Sequence, residues 1–180
     1  APGRTAAASR GAASHTGSLT SPARVVDAAC AAGGVHRVET PHELVDALVG
    51  LVGPRRAAGR RTAVLTDGGG HGAIAADALA AAGLEVPQLS AELGNSLISA
   101  LWEQSTVSNP VDLAGVGEQD PSSYARGVAT LLASDEVDAV LLVGYFGGYA
   151  HHASSLEAAE VRAAHEIVTA VLAQGKPLVV

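Results

Sequence analysis

Cysteine is nearly missing from this sequence: Cys30 is the only one in 180 residues. That excludes an internal disulfide and a cysteine metal cluster, and it agrees with a reducing compartment. Aromatic residues make up only 3% of the chain, against 48% hydrophobic residues rich in alanine. The core is therefore expected to be helix packed on sheet through small contacts, an α/β arrangement without large rings. No apolar run reaches membrane-spanning length, and the opening APGRTAAASRGAASHTG lacks the apolar centre of a secretory signal, so the expected location is cytoplasmic, with no membrane partner. Basic residues are few, and the net charge of −7 argues against nucleic acid as a general partner. They are also unevenly placed: eight bases and four acids precede Thr62, leaving +4 there, and three bases against fourteen acids leave −11 after it. A basic segment of this kind is either a solvated linker or a surface that handles phosphates or an acidic neighbour.

What is present is organised around TAVLTDGGGHGAIAAD, Thr62 to Asp77. A short β-branched and apolar run, a glycine-dense stretch and an alanine-rich helix former read as strand, tight turn and helix. Such a turn aims backbone N–H groups and the positive end of a helix dipole at whatever sits above it, and an anion, above all phosphate, fits there. A P-loop requires Gly-Lys-Ser/Thr at the helix start; Gly70 is followed by His71 and Gly72, so Walker A is excluded. Gly68, Gly70 and Ala73 satisfy the dinucleotide fingerprint. The next expected strand, near Leu84 to Leu89, ends in Gln88, Leu89 and Ser90 without the ribose-binding carboxylate, so a dinucleotide-binding Rossmann domain is the weaker alternative.

In chain order, residues 1–20 hold Leu19 as their only large apolar residue and read as a mobile loop. Residues 21–61 read as the closing part of a preceding subdomain: Ser21 caps a helix with Pro22 at its first position, Val35 to Val38 form a short strand, and Thr40 caps a second helix in a capping-box pattern with Glu43. Leu44, Leu48 and Leu51 line one face of that helix, and Pro54 to Arg61 is a linker. From 62 to 180 strands and helices alternate. A helix capped by Ser90 runs to about Glu103 and carries Trp102, Pro121 opens another to about Ala133, Ala139 to Val143 is a strand, Leu156 to Gln174 is a long helix, and a last strand begins at Leu178. This alternation predicts a parallel sheet with right-handed crossovers, flavodoxin-like or Rossmann-like, with helices on both faces. A chain that starts inside a loop and stops inside a strand reads as a fragment of a longer polypeptide.

Three ordered motifs carry a resemblance: GRTAAASRGAASHTGSL (Gly3 to Leu19), TDGGGHGAIAAD, and NPVDL (Asn109 to Leu113). The set resembles the NDP-forming acyl-CoA synthetases, the superfamily of ADP-forming acetyl-CoA synthetase and succinyl-CoA synthetase, and covers nearly the whole chain. The resemblance implies a reaction in which acyl-CoA, ADP and phosphate interconvert with acid, CoA and ATP through acyl phosphate and a phosphohistidine. It places the phosphorylated histidine at His15, between Ser14 and Thr16-Gly17, and makes Gly68 to Gly72 the start of a helix that holds the phosphohistidine. It further implies CoA and ATP/ADP with Mg on the full-length protein, none of them bound tightly by this segment, together with CoA-binding and ATP-grasp domains or subunits and an oligomeric assembly. The segment alone is expected to show no ligase turnover. Where the family has Thr-Asn-Gly-Gly-Gly and then a small residue or proline, this chain has Asp67 and His71, and Asp67 brings a carboxylate beside an anion site. A ligase-like region of this kind also occurs fused to lysine acetyltransferases as an acyl-CoA-sensing regulatory region; retention of His15 favours catalysis over that alternative.

The chemistry can also be argued from the residues. An imidazole with a pKa of about 6.5 is largely neutral near pH 7, and its free nitrogen is a nucleophile able to take up and pass on a phosphoryl group. Gly69, Gly70, His71 and Gly72 are the expected phosphate-docking N–H groups; the competing reading is a plain strand-to-helix connection in which the glycines permit close packing. His71 either adds a donor or caps the helix from the surface. Asn109 and Asp112 either brace the neighbouring loop or touch ligand, and bracing is favoured because they flank proline as turn formers. No metal site is expected: His151 and His152 are adjacent and lack nearby Cys or acidic partners. The stretch Tyr145 to Ser155 reads as a mobile rim loop or as an interface strip anchored by Phe146 and Tyr149.

Overall fold

The computed structural model describes residues 5–16, 22–53 and 56–180; the side chains of Ser9, Ala12, Ala13, His15 and Thr16 lie outside that description. Two compact units result, Ala1–Pro54 and Arg55–Val180. The first contains α1 (Ala6–Thr16), α2 (Ala23–Ala32) and α3 (Pro41–Val52). The loop expected over residues 1–20 is thus helical over most of its described part. Burial was the wrong criterion there: alanine supplies helix propensity locally, and the Thr5 hydroxyl caps the first turn by accepting from Ala8 N–H at 3.1 Å. Pro22 takes the cap position of α2, and the expected Ser21 cap lies outside the described residues. Thr40 caps α3 as expected, its Oγ1 accepting from Glu43 N–H at 3.1 Å. Val35 to Val38 do not form a strand; among the described residues of this unit there is no second strand to satisfy their backbone groups. Leu44, Leu48 and Leu51 share a helix, but each remains about half exposed, at 49%, 50% and 59%.

The second unit is a four-stranded parallel sheet in the order β2-β1-β3-β4, built from β1 (Thr62–Thr66), β2 (Val111–Asp112), β3 (Ala139–Val143) and β4 (Leu178–Val179). Its helices are α4 (Gly69–Ala81), α5 (Ala91–Ala100), α6 (Val116–Gln119), α7 (Ser122–Ala133) and α8 (Glu157–Gln174). Strand alternation sorts them into layers. Ala63 and Leu65 of β1, with Val140 and Leu142 of β3, enter one buried cluster with residues of α5, α7 and α8, and a Cβ on Gly127 of α7 would meet the Leu65 side chain at 3.0 Å. Thr66 points the other way, toward α4, where a Cβ on Gly72 would meet its Cγ2 at 3.1 Å. Helices cover both faces, and the third strand lies on the far side of the first from the second. This is the flavodoxin-like order and not the Rossmann order, in which the second strand separates the third from the first.

The strand expected near Leu84 to Leu89 is reduced to a single bridge between Arg61 and Glu85. Pro87 has no N–H to continue a ladder. The edge of β1 is completed instead in three pieces: Thr62 N–H donates to Glu85 O at 2.7 Å, Leu113 N–H donates to Thr66 O at 2.8 Å, and the Asn109 side chain fills the gap between them. Its Oδ1 accepts from Val64 N–H at 2.9 Å, while Nδ2 donates to Thr62 O and Pro87 O, each at 3.0 Å. One amide thus stands in for a missing strand residue, and the Asn109–Pro110 peptide is cis. Helix α5 begins at the expected Ser90 cap, whose hydroxyl accepts from Leu93 N–H at 3.1 Å, but stops at Ala100, short of Trp102. Leu101 turns extended into the core, and Arg126 Nε donates to the terminal Ala100 carbonyl at 2.7 Å. The α8 helix ends at Gly175, whose φ of 70° supplies the left-handed stop. Among the described residues, no helix is long and apolar enough to cross a membrane.

Candidate functional site

In this strand order the direction of chain connection reverses between β1 and β3, and the carboxyl ends of those two strands are where open parallel sheets receive ligands. Glycine follows both strands, Gly144 directly after β3 and Gly68 two residues after the end of β1. Beyond Thr66 the chain passes through Asp67 and Gly68 into α4, with Gly68 as an extended N-cap that lacks a side-chain capping bond. Gly68 N–H donates to Thr66 Oγ1 at 3.2 Å. His71 N–H and Gly72 N–H both donate to Gly68 O, at 3.0 and 3.2 Å. Two of the four N–H groups expected to dock an anion are therefore consumed by the first turn of the helix, which leaves Gly69 and Gly70. These two are exposed, and their amides have no acceptor among the described residues. Gly72 serves packing: a Cβ there would also meet Pro110 Cβ at 3.1 Å, so the glycine lets α4 approach both β1 and the Asn109–Pro110 segment.

His71 is exposed. Its ring folds back, so that Nδ1 lies 3.3 Å from where a Gly68 Cβ would sit, and it meets Tyr145 edge-on with centroids 5.1 Å apart at 89°. Asp112 Oδ1 accepts from Ala114 N–H at 2.9 Å, and its Oδ2 lies 3.3 Å from the Cβ position of Gly69. The two proposed supporting residues thus differ. Asn109 completes the sheet edge, while Asp112 shapes the turn in which Ala114 and Gly115 both adopt positive φ, 55° and 82°.

The partners of Asp67 are not marked by any local pattern. This carboxylate is 7% exposed, accepts from Gly117 N–H at 3.4 Å through Oδ1, and receives the Tyr149 hydroxyl on Oδ2. The Tyr124 hydroxyl stands 3.1 Å from that of Tyr149 and can donate to it, since the Tyr149 proton is engaged by Asp67. Burial comes first among the causes that raise both phenols above their ordinary pKa, followed for Tyr149 by its bond to Asp67 and for Tyr124 by its bond to Tyr149. Phe146 and Tyr149, expected as anchors of an interface strip, turn inward instead: Tyr149 is 7% exposed, and Phe146 packs against the core with its ring 4.9 Å from Tyr124. The same loop is tied to α8 by Glu160, which accepts from Gly147 N–H at 2.9 Å, Tyr149 N–H at 3.2 Å and Ala150 N–H at 2.9 Å. Gly144 to Gly148 with Tyr145, Phe146, Tyr149, His151 and His152 line a cavity of about 410 Å³ beside the turn. His15 belongs to α1 in the other unit, and its side chain lies outside the described residues. Among the described residues, no group of His, Cys, Asp and Glu is placed to hold a metal ion.

Fold and site together define a flavodoxin-like α/β domain with a glycine-rich strand-to-helix turn at its switch point. Residues 62–180 match the ligase-CoA domain, and residues 1–51 match the succinyl-CoA ligase like flavodoxin domain. The chain belongs to the ligase-CoA domain family of the NDP-forming acyl-CoA synthetases. Similar proteins include the alpha subunit of acetate–CoA ligase [ADP-forming] II of Pyrococcus furiosus, 32% identical over 149 residues that cover 81% of this chain and 32% of that one. Acetate–CoA ligase [ADP-forming] I of Archaeoglobus fulgidus is 31% identical over 141 residues, covering 78% of this chain and 20% of that one. Among solved structures, the dinucleotide-forming acetyl-coenzyme A synthetase 1 of Ca. Korarchaeum cryptofilum, in complex with phosphate and ADP, superposes with a TM-score of 0.76 at 25% identity, covering 98% of this chain and 36% of that one. The chain therefore spans about a third or less of the length of these relatives.

Proposed function

We propose that this chain is the phosphohistidine-bearing and ligase-CoA segment of an acid–CoA ligase that interconverts acyl-CoA, ADP and phosphate with acid, CoA and ATP. The observation that carries the reading is the pair of unclaimed amides, Gly69 and Gly70, at the start of a 13-residue helix on the β1/β3 switch point, in a chain that also contains Ser14-His15-Thr16-Gly17. In this reading a neutral His15 nitrogen attacks the phosphorus of an acyl phosphate, the bond from phosphorus to the acyl oxygen breaks, and the carboxylate leaves. Inorganic phosphate before the transfer, and the phosphohistidine after it, dock on the α4 amides, which meet their charged oxygens with N–H dipoles and the helix field. An ADP oxygen next attacks phosphorus, the N–P bond breaks, and the imidazole is regenerated. His71, turned over Gly68, supplies a further donor at the rim. CoA and Mg-bound ATP/ADP belong to CoA-binding and ATP-grasp domains or subunits that complete the protein, as an oligomer in the cytoplasm.

The test is phosphorylation of the full-length protein with labelled ATP or acyl phosphate. Acid-labile, base-stable label is expected on the wild type and is lost in His15→Gln. A wild-type protein that takes up no such label, under conditions where CoA and nucleotide bind, refutes the carrier role.

A further inference from the structure

The short segment Asp67-Gly68-Gly69 contains a conflict. An aspartate two residues before a free backbone N–H is placed to accept from it, which is the ordinary Asx arrangement at turns and helix starts. The Gly69 and Gly70 amides are free, the α4 dipole favours a negative charge beside them, and Asp67 is the acidic residue nearest to them in sequence. Left to local preferences, Asp67 would itself become the anion bound at this turn. Its carboxylate is instead buried and drawn to other partners, with Gly117 N–H on one oxygen and the Tyr149 hydroxyl on the other. Gly117 contributes at 3.4 Å, the long end of hydrogen bonding, so the phenol is the stronger hold.

Tyr149 is in turn fixed at both ends. Glu160 accepts its backbone N–H, and the Tyr124 hydroxyl stands against its oxygen, which leaves the Tyr149 proton for Asp67. Burial raises both phenols above their ordinary value, so the Tyr149 hydroxyl is a donor at neutral pH. Asp112, the other carboxylate at this end of α4, is held through Oδ1 by Ala114 N–H; its Oδ2 lies 3.3 Å from the Cβ position of Gly69 but makes no hydrogen bond to either free amide.

We propose that Tyr149 is a positioning residue, whose hydroxyl holds the Asp67 carboxylate away from the Gly69 and Gly70 amides and keeps them available to a phosphoryl group. The role rests on the reading of those amides as a phosphate dock. Without the hydroxyl, Asp67 loses its main partner, returns to the local Asx arrangement, and competes with phosphate through both its charge and its hydrogen bonds.

The experiment measures KM for inorganic phosphate and kcat on the full-length protein. Tyr149→Phe keeps the ring and removes one oxygen; it is expected to raise the phosphate KM roughly ten-fold, the scale of one like-charge interaction at a partly buried site, with kcat changed less than about three-fold. Adding Asp67→Asn to Tyr149→Phe removes the competing charge and is expected to return KM to within about three-fold of wild type. Tyr124→Phe, which leaves the Tyr149–Asp67 bond in place, controls for the loss of a buried hydroxyl and is expected to stay within the same range. The proposal is overturned if Tyr149→Phe has the wild-type KM, or if the double variant remains as impaired as Tyr149→Phe, since a packing defect would not be rescued by neutralising Asp67. Gly70→Pro separates the two layers: proline is tolerated in the first helical turn and deletes one free amide. An unchanged phosphate KM in Gly70→Pro refutes the dock itself, and with it this role; a raised KM there beside a normal Tyr149→Phe refutes only the role of Tyr149.

Discussion

Asn109→Ala isolates a side chain that acts as backbone. In the wild type its amide serves Val64 N–H, Thr62 O and Pro87 O at 2.9 to 3.0 Å, and Val64 is fully buried. Truncation orphans one buried donor, which costs about 1–3 kcal/mol, and removes one bond from each of two carbonyls, at about 0.5–1 kcal/mol apiece. The sum is about 3 kcal/mol, equivalent to a melting temperature lower by roughly 6–12 °C for a protein of this size. Asn109→Asp sharpens the test. Its carboxylate can still accept from Val64 N–H, but it sets oxygen against the oxygens of Thr62 and Pro87, so the loss at pH 7 should be at least as large. That loss should ease as pH falls, because a carboxyl facing two carbonyls titrates above its unfolded value of about 3.9, and its protonated form can donate. Urea unfolding of wild type and both variants at pH 7 and pH 5 provides the measurement. A loss below about 1 kcal/mol in Asn109→Ala, or an Asn109→Asp protein as stable as wild type at pH 7, would show that water or backbone movement replaces the amide, and the account of the split strand would be wrong.

Other perturbations follow from the same structure. Asp138 receives Arg61 Nε at 3.0 Å, the guanidinium NH2 group at 2.7 Å and the Arg61 backbone N–H at 2.9 Å, and these bonds to Arg61 hold its carboxyl below the usual range. A depressed folded pKa means that the contribution is fully present above the unfolded value of about 3.9 and is lost as pH falls through the folded one. The stability gap between wild type and Asp138→Asn should therefore be constant from pH 7 to about pH 5 and close below about pH 4; a gap that widens in acid would refute the assignment. At the β2–α6 turn, Gly115→Ala, at φ 82°, should cost about 1–2 kcal/mol, while Ala114→Gly, at φ 55°, should gain about 0.5 kcal/mol after the extra unfolded-state entropy of glycine is counted. Denaturation midpoints that move in the same direction for both would contradict the left-handed pair.

The elements legible in the sequence were those whose signals are local. Thr62 to Thr66, Ala139 to Val143 and the long helix ending at Gln174 with Gly175 beyond it stand where apolar runs, caps and glycine stops put them, and Thr40 and Ser90 cap as their side chains predict. The strand near Leu84 failed because its continuation is supplied by a side chain 45 residues along from Val64, which no periodicity marks. The α1 helix was missed because a shortage of apolar residues speaks to burial and not to helix formation. Around the glycine turn, the glycines were visible, but two of their N–H groups proved to be spent within the helix. The fate of Asp67 was hidden because Tyr149 lies 82 residues away. The Gly/Tyr composition of the loop marked it as notable, yet did not tell an outward anchor from an inward donor.

Glu160 has a consequence for how this rim can move. A glycine-rich loop ordinarily exchanges its amide hydrogens quickly, through openings independent of the helices nearby. Here the amides of Gly147, Tyr149 and Ala150 are held by a carboxylate rooted in α8, so freeing them means unseating a buried charge from that helix. Native-state exchange should therefore report the three amides opening together with α8 as one cooperative unit. Any closure of the rim around a ligand would then be a shift of loop and helix as a single body, with no independently moving flap.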